Sequence, residues 1–347
     1  MNPYIMTVLL FGLGLGTTIT FASSHWMLAW MDLDIDTLAI MLLMALHRHP
    51  RAVKQPLSTF YQATAAATLL FASVTNAWLT GQWDIQQMTH PVPTTMITLA
   101  LALKVGIAPL HTWLPEVMQG LDLTTGLILS TWQKLAPFAL LLQLPLQNQT
   151  MLVIMGLAST LIGGWGGLNQ TQLRKVMAYS SIAHLGWMII IIQFAPSLTL
   201  MALMVYMMMT SSAFLMFKIN NALNINTLAT SWAKTPLITA MAPLILLSLG
   251  GLPPLTGFAP KWLILQEMAK QGLALTATMA ALTALLSLYF YLRLSYALTL
   301  TMSPNNLPGM TPWRLKSHQL TLPLSMTTAM TLMLLPLTPV IMTFMTL

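Results

Sequence analysis

Residues 93–115 read PTTMITLALALKVGIAPLHTWLP, an apolar run that contains a single lysine followed closely by a glycine and a proline. The run is long enough to cross a bilayer, which takes about 20 residues of α-helix. Pro109 has no amide donor and its ring clashes with the preceding turn, so we expect the helix to break shortly after Lys104. The stretch therefore predicts a membrane-spanning helix that is interrupted beside a buried lysine.

The composition of the whole chain agrees with a lipid environment. Of its 347 residues only 6% are charged and 56% are hydrophobic, whereas about 25% of an ordinary globular chain is charged. Soluble enzymes, secreted scaffolds and disordered tails are excluded, because their surfaces need more polar side chains. The chain has no cysteine, which excludes disulfides, thiolate zinc sites and cysteine-ligated iron–sulfur clusters. Any redox centre must then belong to a partner.

Runs of similar length recur along the chain and predict an all-α polytopic membrane protein. We expect residues 1–347 to form a single transmembrane domain of about eleven helices with short connections. We also expect no removable targeting segment, because the N-terminus runs directly into apolar sequence. The predicted spans are approximately 3–23, 25–46, 57–80, 93–115, 124–143, 149–168, 174–194, 197–217, 237–265, 273–299 and 321–345.

The positions of the basic residues test this count, because lysine and arginine accumulate on one side of a membrane. With eleven spans, nine basic residues fall in loops on the side of the N-terminus, and only Lys270 falls in a loop on the other side. The nine are Arg48, Arg51, Lys54, Arg174, Lys175, Lys218, Lys234, Arg314 and Lys316. The bias predicts that the two termini lie on opposite sides. Such scattered charge favours a role in topology over nucleic-acid binding.

A second interrupted segment, residues 250–261, reads GGLPPLTGFAPK. Its glycines and prolines cannot all sit in a continuous helix, so we expect the ninth span to unwind at its centre. The fourth and ninth spans are five helices apart, and an odd offset reverses the direction of the chain. This arrangement predicts antiporter-like inverted repeats, with spans 1–5 (about 3–143) matching spans 6–10 (about 149–299) and 321–345 as an extra helix.

Charges inside the predicted spans are costly, at roughly 2.5–3.5 kcal/mol each on insertion scales, and so need a reason. Asp34, Lys104 and Lys134 lie at a similar depth, about 15 Å into three different spans. They form either a buried ion pair that ties helices together or a proton relay, since burial and a nearby carboxylate have opposite effects on lysine protonation. Lys261 follows the second break. Arg293 is explained by snorkelling to the membrane surface.

His184 lies about halfway along the seventh predicted span, beside hydroxyl side chains in Tyr179-Ser180-Ser181. A lone histidine in a membrane helix is often only a hydrogen-bonded packing residue. Its near-neutral titration would also suit a proton-conducting link between Lys134 and Lys261. Both interpretations remain open at this point. We expect no metal site, because His47-Arg48-His49 reads as a basic loop at the lipid surface.

Three motifs carry a resemblance to a known family. They are KVGIAPLHTWLPE at residues 104–116, AYSSIAH at 178–184 and LGGLPPLTGFAPKW at 249–262. The chain resembles the subunit 2 family of vertebrate mitochondrial NADH:ubiquinone oxidoreductase, respiratory complex I, over essentially its whole length. The resemblance implies an antiporter-like subunit of the membrane arm in the inner membrane, with the N-terminus in the matrix and the C-terminus in the intermembrane space.

The resemblance also implies partners and cofactors. The partners are other membrane-arm subunits, especially neighbouring antiporter-like and small helical ones, and membrane lipids such as cardiolipin, with no nucleic acid. The chain itself binds no cofactor, while FMN, iron–sulfur clusters and ubiquinone belong to other subunits. The family's transmembrane carboxylate falls on Asp34, and its three relay lysines fall on Lys104, Lys134 and Lys261.

The chain departs from the family pattern around its second span. The usual Gly-Leu-Glu-Ile-Asn is replaced by Asp32-Leu33-Asp34-Ile35-Asp36, so that the key carboxylate is one methylene shorter and two acids are added.

Our hypothesis is a translocase subunit that has no redox centre of its own. It couples electron transfer from NADH to ubiquinone with proton translocation, through a relay of Asp34, Lys104, Lys134, His184 and Lys261. The alternatives are a free-standing cation/proton antiporter and a structural subunit without its own proton path.

Overall fold

A computed structural model describes residues 3–45, 55–145, 148–233, 235–300 and 321–346. These residues form helices joined by short connections, with no strand among them, so the predicted all-α class is confirmed for this part of the chain. Several basic residues used to predict the topology lie outside the described residues, as do two histidines beside them. These are His47, Arg48, His49, Arg51, Lys54, Lys234, Arg314 and Lys316.

The chain divides into two compact units, Met1–Met155 and Gly156–Leu347. The α-helices that lie within the first are α1 (Pro3–Ala22), α2 (Trp26–Ala45), α3 (Gln55–Thr80), α4 (Pro91–Val105), α5 (Trp113–Gly120), α6 (Leu123–Ser130) and α7 (Leu135–Gln143). Helix α2 packs against α1, α3 and α6, and α4 packs against α3 and α7. The helix that carries Asp34 therefore lies inside a cluster of apolar neighbours.

Helix α8 (Gln149–Gly167) begins in the first unit and continues into the second. The others of the second unit are α9 (Leu173–Ile191), α10 (Pro196–Ile219), α11 (Ile225–Ala229), α12 (Pro236–Gly250), α13 (Phe258–Lys270), α14 (Ala274–Thr299), α15 (Thr321–Met333) and α16 (Thr338–Thr346). Helix α10 packs against α9, α12, α13, α15 and α16, and α14 packs against α9, α12 and α13. Helices α9 and α13, which carry His184 and Lys261, also pack against each other.

Glycines let some of these helices approach closely. A Cβ atom at Gly163 on α8 would lie 2.6 Å from the backbone nitrogen of Ala183 on α9, closer than two such atoms can approach. One at Gly164 would lie 2.8 Å from Cβ of Leu286 on α14. The glycines of this segment therefore serve close helix packing, as small residues commonly do in membrane helices.

Four helices in the described part of the chain are long and apolar enough to cross a membrane. They are Tyr4–Ala22, Gln149–Gly167, Pro196–Ile219 and Ala274–Thr299. A fifth candidate is the pair Thr321–Met333 and Leu335–Phe344, which is bent by 67° at the residue between them. Pro91–Val105 and Pro236–Gly250 are apolar but shorter. These segments indicate that the chain is an integral membrane protein of the helical class.

The fifth predicted span, 124–143, is not one continuous helix. Helix α6 ends at Ser130, a 3-10 turn covers Trp132–Lys134, and α7 begins at Leu135. The hydroxyl of Thr131 donates a hydrogen bond to the Leu127 carbonyl at 2.7 Å within the last turn of α6. A 3-10 segment between helices often marks a functional hinge. It places Lys134 at a junction between two helices, a feature that periodicity alone does not predict.

Candidate functional site

Lys104 and Asp34 are brought together within the first unit. The Lys104 Nζ lies 3.5 Å from the Asp34 Oδ1, with 2% of the lysine side chain and 30% of the aspartate side chain exposed. The same Nζ donates a hydrogen bond to the Leu33 carbonyl at 3.5 Å. The lysine is thus buried against helix α2. Among the described residues, Asp34 is the carboxylate with which it forms an ion pair.

The end of α4 fixes the position of this lysine. Gly106, directly after the last helical residue, adopts a left-handed conformation with φ 84° and ψ 46°. Its amide donates a hydrogen bond to the Ala102 carbonyl at 2.9 Å, which closes the helix in the manner of a glycine C-cap. Lys104 therefore lies in the last turn of α4, where the helix dipole favours a cation.

Lys134 is the second predicted lysine of this unit. Only 2% of the residue is exposed, and the 3-10 turn that carries it packs against α4, the helix of Lys104. The adjacent Trp132 donates its indole N–H to the Leu13 carbonyl on α1 at 3.4 Å. The turn that presents Lys134 is therefore held against two helices of the first unit.

The acids Asp32 and Asp36 are also buried, with 4% and 3% exposure. They lie one turn apart on α2, and Asp36 faces α1, since a Cβ atom at Gly16 would overlap the Asp36 carboxylate. Asp36 interacts electrostatically with Lys104. Sequence reasoning found these two acids but assigned them no role. Their placement required knowing which helix packs on that face of α2.

In the second unit, Lys261 lies in the first turn of α13 and points back across the preceding break. Its Nζ donates a hydrogen bond to the Gly250 carbonyl at 2.7 Å. That carbonyl belongs to the last residue of α12, and the next residue, Gly251, is left-handed with φ 80° and ψ 38°. The end of α12 thus supplies a backbone carbonyl as the acceptor for Lys261, whereas Lys104 meets the carboxylate of Asp34.

His184 shares a small cavity with Lys261. The cavity has a volume of about 20 Å³ and is also lined by Trp187, Met209 and Gly257. This volume is about that needed for one water molecule. The His184 ring lies 5.5 Å from the ring of Tyr206, measured between centroids and tilted by 44°. Two predicted relay residues therefore meet at one cavity within the second unit.

Sequence reasoning gave no role to two buried tyrosines, of which Tyr206 contacts the His184 ring. Tyr206 and Tyr291 are each 1% exposed, and the Tyr206 hydroxyl lies within hydrogen-bonding reach of the Ser181 hydroxyl. A tyrosine in the middle of an apolar helix was the available signal, because its hydroxyl needs a polar partner when buried. Which partner it finds depends on the packing of α9, α10 and α14.

Arg293 donates a hydrogen bond from its Nη1 to the Leu168 carbonyl at 2.7 Å, just past the end of α8. The arginine thus satisfies one of the carbonyls left open at a helix C-terminus.

Among the described residues no group of three or more acidic or histidine side chains could hold a metal ion.

Comparisons with known proteins place this geometry in a family. The family model described as "NADH:quinone oxidoreductase/Mrp antiporter, TM" matches residues 23–287, and the one described as "NADH dehydrogenase subunit 2 C-terminus" matches residues 288–342. NADH-ubiquinone oxidoreductase chain 2 of Tetraodon nigroviridis is 70% identical over 344 residues, which cover 99% of each chain. The chain belongs to the NADH-ubiquinone oxidoreductase chain 2 family. The Salmo salar relative is 66% identical over 349 residues, covering 100% of both chains.

Solved structures share the fold of this chain 2 family member. A chain of respiratory complex I from Thermus thermophilus with bound Aureothin superposes with a TM-score of 0.86 at 24% identity, covering 98% of this chain and 80% of that one. A chain of the membrane-bound sulfane sulfur reductase, an archaeal respiratory membrane complex, gives a TM-score of 0.84 at 16% identity, with coverage of 97% and 74%. At these identities the likeness concerns the fold, which is that of antiporter-like membrane subunits.

Proposed function

We propose that the chain is a proton-translocating subunit of the membrane arm of complex I and that its route runs through Asp34, Lys104, Lys134, His184 and Lys261. The single observation that supports this most strongly is the contact of Lys104 with Asp34 inside an apolar helical unit. A buried lysine at a carboxylate can change its protonation when the local charge changes, which a relay requires. Electron transfer from NADH to ubiquinone in other subunits would supply that charge change.

The two clusters support the following order for the proposed relay. Asp34 and Lys104 receive the charge signal. Lys134, at the helix junction beside α4, then takes up the proton. His184 and Lys261 transfer it through their shared cavity towards the exit. Proton transfer between the last two residues needs a bridging hydroxyl or water, for which the cavity has room.

We also propose eleven membrane crossings, in which α4 with α5 and α12 with α13 are interrupted spans of two inverted repeats. The local design of the two breaks supports this. Pro91 and Pro236 begin α4 and α12, left-handed Gly106 and Gly251 end them, and Trp113 and Phe258 begin the next helices. Each of these pairs is separated by the same number of residues. Paired breaks at corresponding positions are typical of transporters with inverted repeats.

The proposed setting is the mitochondrial inner membrane, with the N-terminus in the matrix and the C-terminus in the intermembrane space. Neighbouring antiporter-like and small helical subunits, together with lipids such as cardiolipin, would cover the exposed apolar side chains of helices such as α1 and α14. FMN, the iron–sulfur clusters and ubiquinone would be held by other subunits, since the chain has no cysteine to ligate a cluster.

Native electrophoresis tests the assembly. We expect the chain to migrate with a very large complex that oxidises NADH. Migration as a small species that exchanges cations for protons on its own would instead identify a free-standing antiporter.

The relay is tested by replacing Lys104 with methionine in the assembled complex and measuring the protons translocated per electron in sealed vesicles. We expect the ratio to fall, because the group that answers Asp34 is removed. The matched control is Lys270→Met, since that lysine is exposed at the end of α13 and forms a surface ion pair with Glu267 at 3.3 Å. An unchanged ratio in Lys104→Met would contradict the relay and favour a structural subunit.

A further inference from the structure

Asp32 and Asp36 form a second acidic feature beside the Asp34–Lys104 contact. They are four residues apart on α2, so their side chains lie on the same helix face with Cβ atoms about 5–6 Å apart. Both are at least nine-tenths buried, and they interact electrostatically with each other. The Asp36 carboxylate lies against Gly16 of α1 and interacts electrostatically with Lys104, the lysine that Asp34 contacts.

The carboxylates of this pair have few partners. Neither oxygen of Asp36, nor the Oδ2 of Asp32, accepts a hydrogen bond from any described residue. The position opposite Asp36 on α1 is Gly16, where a Cβ atom would overlap the carboxylate. The side chain is thus enclosed against a helix backbone that has no donor to offer, because its amides are used within the helix.

The charges around the pair do not balance. Helices α1, α3 and α6, which pack against α2, carry no charged side chain. Among the described residues, Lys104 is the cation that interacts electrostatically with Asp36, and this lysine already contacts Asp34. The described residues offer the pair no further cation, so ionising both buried carboxylates is costly while Lys104 is neutral, and such pairs favour sharing a proton.

We propose that Asp32 and Asp36 share a proton as a carboxyl pair and that the pair exchanges this proton with the Lys104 amine. In the loaded state the pair holds one proton and Lys104 is neutral. On transfer the proton leaves the carboxyl group and binds the lysine nitrogen, so that the pair becomes fully ionised and Lys104 becomes a cation that faces Asp34. The step rests on the function proposed above and adds a proton store to it on the α1 side of α2.

The pair is distinguished from a merely structural feature by two properties. A structural pair keeps its proton whatever the redox state of the complex. A proton store changes its protonation during turnover, and it does so only while Lys104 can accept the proton. Both properties are measurable without relying on the rate of the complex.

The experiment is infrared difference spectroscopy of the assembled complex, following the C=O stretching band of protonated carboxylic acids. The variants are Asp36→Asn and Asp32→Asn, which keep the shape of the side chain and remove the acid. The matched control is Asp84→Asn, an exposed aspartate in the loop after α3. We expect each of the two buried substitutions to remove one protonated carboxyl band that the control retains. The proposal is wrong if the band persists in both buried variants.

A second spectrum tests the exchange. In the unmodified complex we expect the band to lose intensity on reduction by NADH, and in Lys104→Met we expect the band to be present but insensitive to reduction. A band that responds equally in both would overturn the exchange with Lys104, and a band that responds in neither would leave the pair structural and overturn the proposal. A separate result would show that the relay proposed above is wrong. In that case Lys104→Met would leave the proton-to-electron ratio unchanged while the band remains.

Discussion

Lys104 in the first unit and Lys261 in the second are built on similar helix ends but have different partners. In both units a 15-residue apolar helix begins with proline and ends at a left-handed glycine. Lys104 precedes that glycine and meets the Asp34 carboxylate at 3.5 Å. Lys261 follows the break and meets the Gly250 carbonyl at 2.7 Å.

The difference in partners implies a difference in what each lysine can sense. A carboxylate carries a negative charge that favours the protonated lysine, so the charge of Lys104 depends on its contact with helix α2. A backbone carbonyl carries no net charge and is fixed by the helix end, so Lys261 depends instead on its cavity and on His184. In the relay proposed above, the first unit would receive the charge signal, and the second would hold and release the proton.

The largest expected difference between the two lysines is in the stability that each gives to the assembled membrane arm. Lys104→Met leaves the Asp34 carboxylate without its cation, and we expect a loss of roughly 1–3 kcal/mol. This is less than the loss of about 3–5 kcal/mol for a fully buried pair, because 30% of the Asp34 side chain is exposed. Lys261→Met loses a charge-assisted hydrogen bond but also the cost of burying a cation, so its net effect should stay within about 1 kcal/mol. The measurement is the thermal stability of the assembled membrane arm. Equal losses in the two variants would contradict the distinction between the partners.

A smaller effect comes from the glycines that end α4 and α12. Replacing either by alanine costs roughly 1–2 kcal/mol, because both are left-handed. The added Cβ at Gly251 would lie 2.8 Å from the Lys261 Nζ, whereas at Gly106 it would meet the flexible Leu114 side chain at 2.9 Å. We therefore expect Gly251→Ala to displace the lysine and to lower the proton-to-electron ratio, while Gly106→Ala lowers stability alone.

Gly272→Ala is the matched control for backbone strain, since its φ is 74° and nothing lies within 4 Å of the added atom. It should lower stability by a similar amount and leave translocation unchanged. If Gly272→Ala reduced translocation as much as Gly251→Ala, the contact with Lys261 would not be the cause.

The smallest expected effect is that of Asp34→Glu, which restores the residue usual in the family that the sequence resembles. A partly exposed ion pair is worth about 0–1 kcal/mol, and one added methylene can be accommodated at the exposed side of α2. We expect assembly and the proton-to-electron ratio to remain close to those of the unmodified complex, as measured in the same vesicles. A severe loss would mean that the shorter side chain and the neighbouring acids Asp32 and Asp36 depend on each other.

The sequence predicted much of the helical pattern for a simple physical reason. Long apolar runs such as 3–23 and 273–299 have one stable form in lipid, where each backbone amide must be satisfied within its own segment. The helices α1 and α14 follow these runs within about two residues. The junction at Lys134 was not predicted, because the run 124–143 is apolar throughout and a short 3-10 turn leaves little trace in hydrophobicity.

The candidate site was also only partly predictable. Depth along a helix put Asp34 and Lys104 at one level, and they are in contact. Depth could not say which face of α2 meets α4, so it gave no role to Asp32 and Asp36. The contact of the Tyr206 ring with His184 was likewise not predictable, since it depends on how α9 and α10 pack.

By itself, the sequence determined that the chain lies in a membrane, and it determined the class of fold, the family and the residues whose charge is costly in lipid. These follow from composition and from local motifs, which need no knowledge of neighbours. Only the tertiary structure decided the partners: a carboxylate for Lys104, a carbonyl for Lys261, and a backbone face at Gly16 for Asp36. Partners are set by which helix faces pack together, and apolar side chains that can all face lipid do not specify those faces.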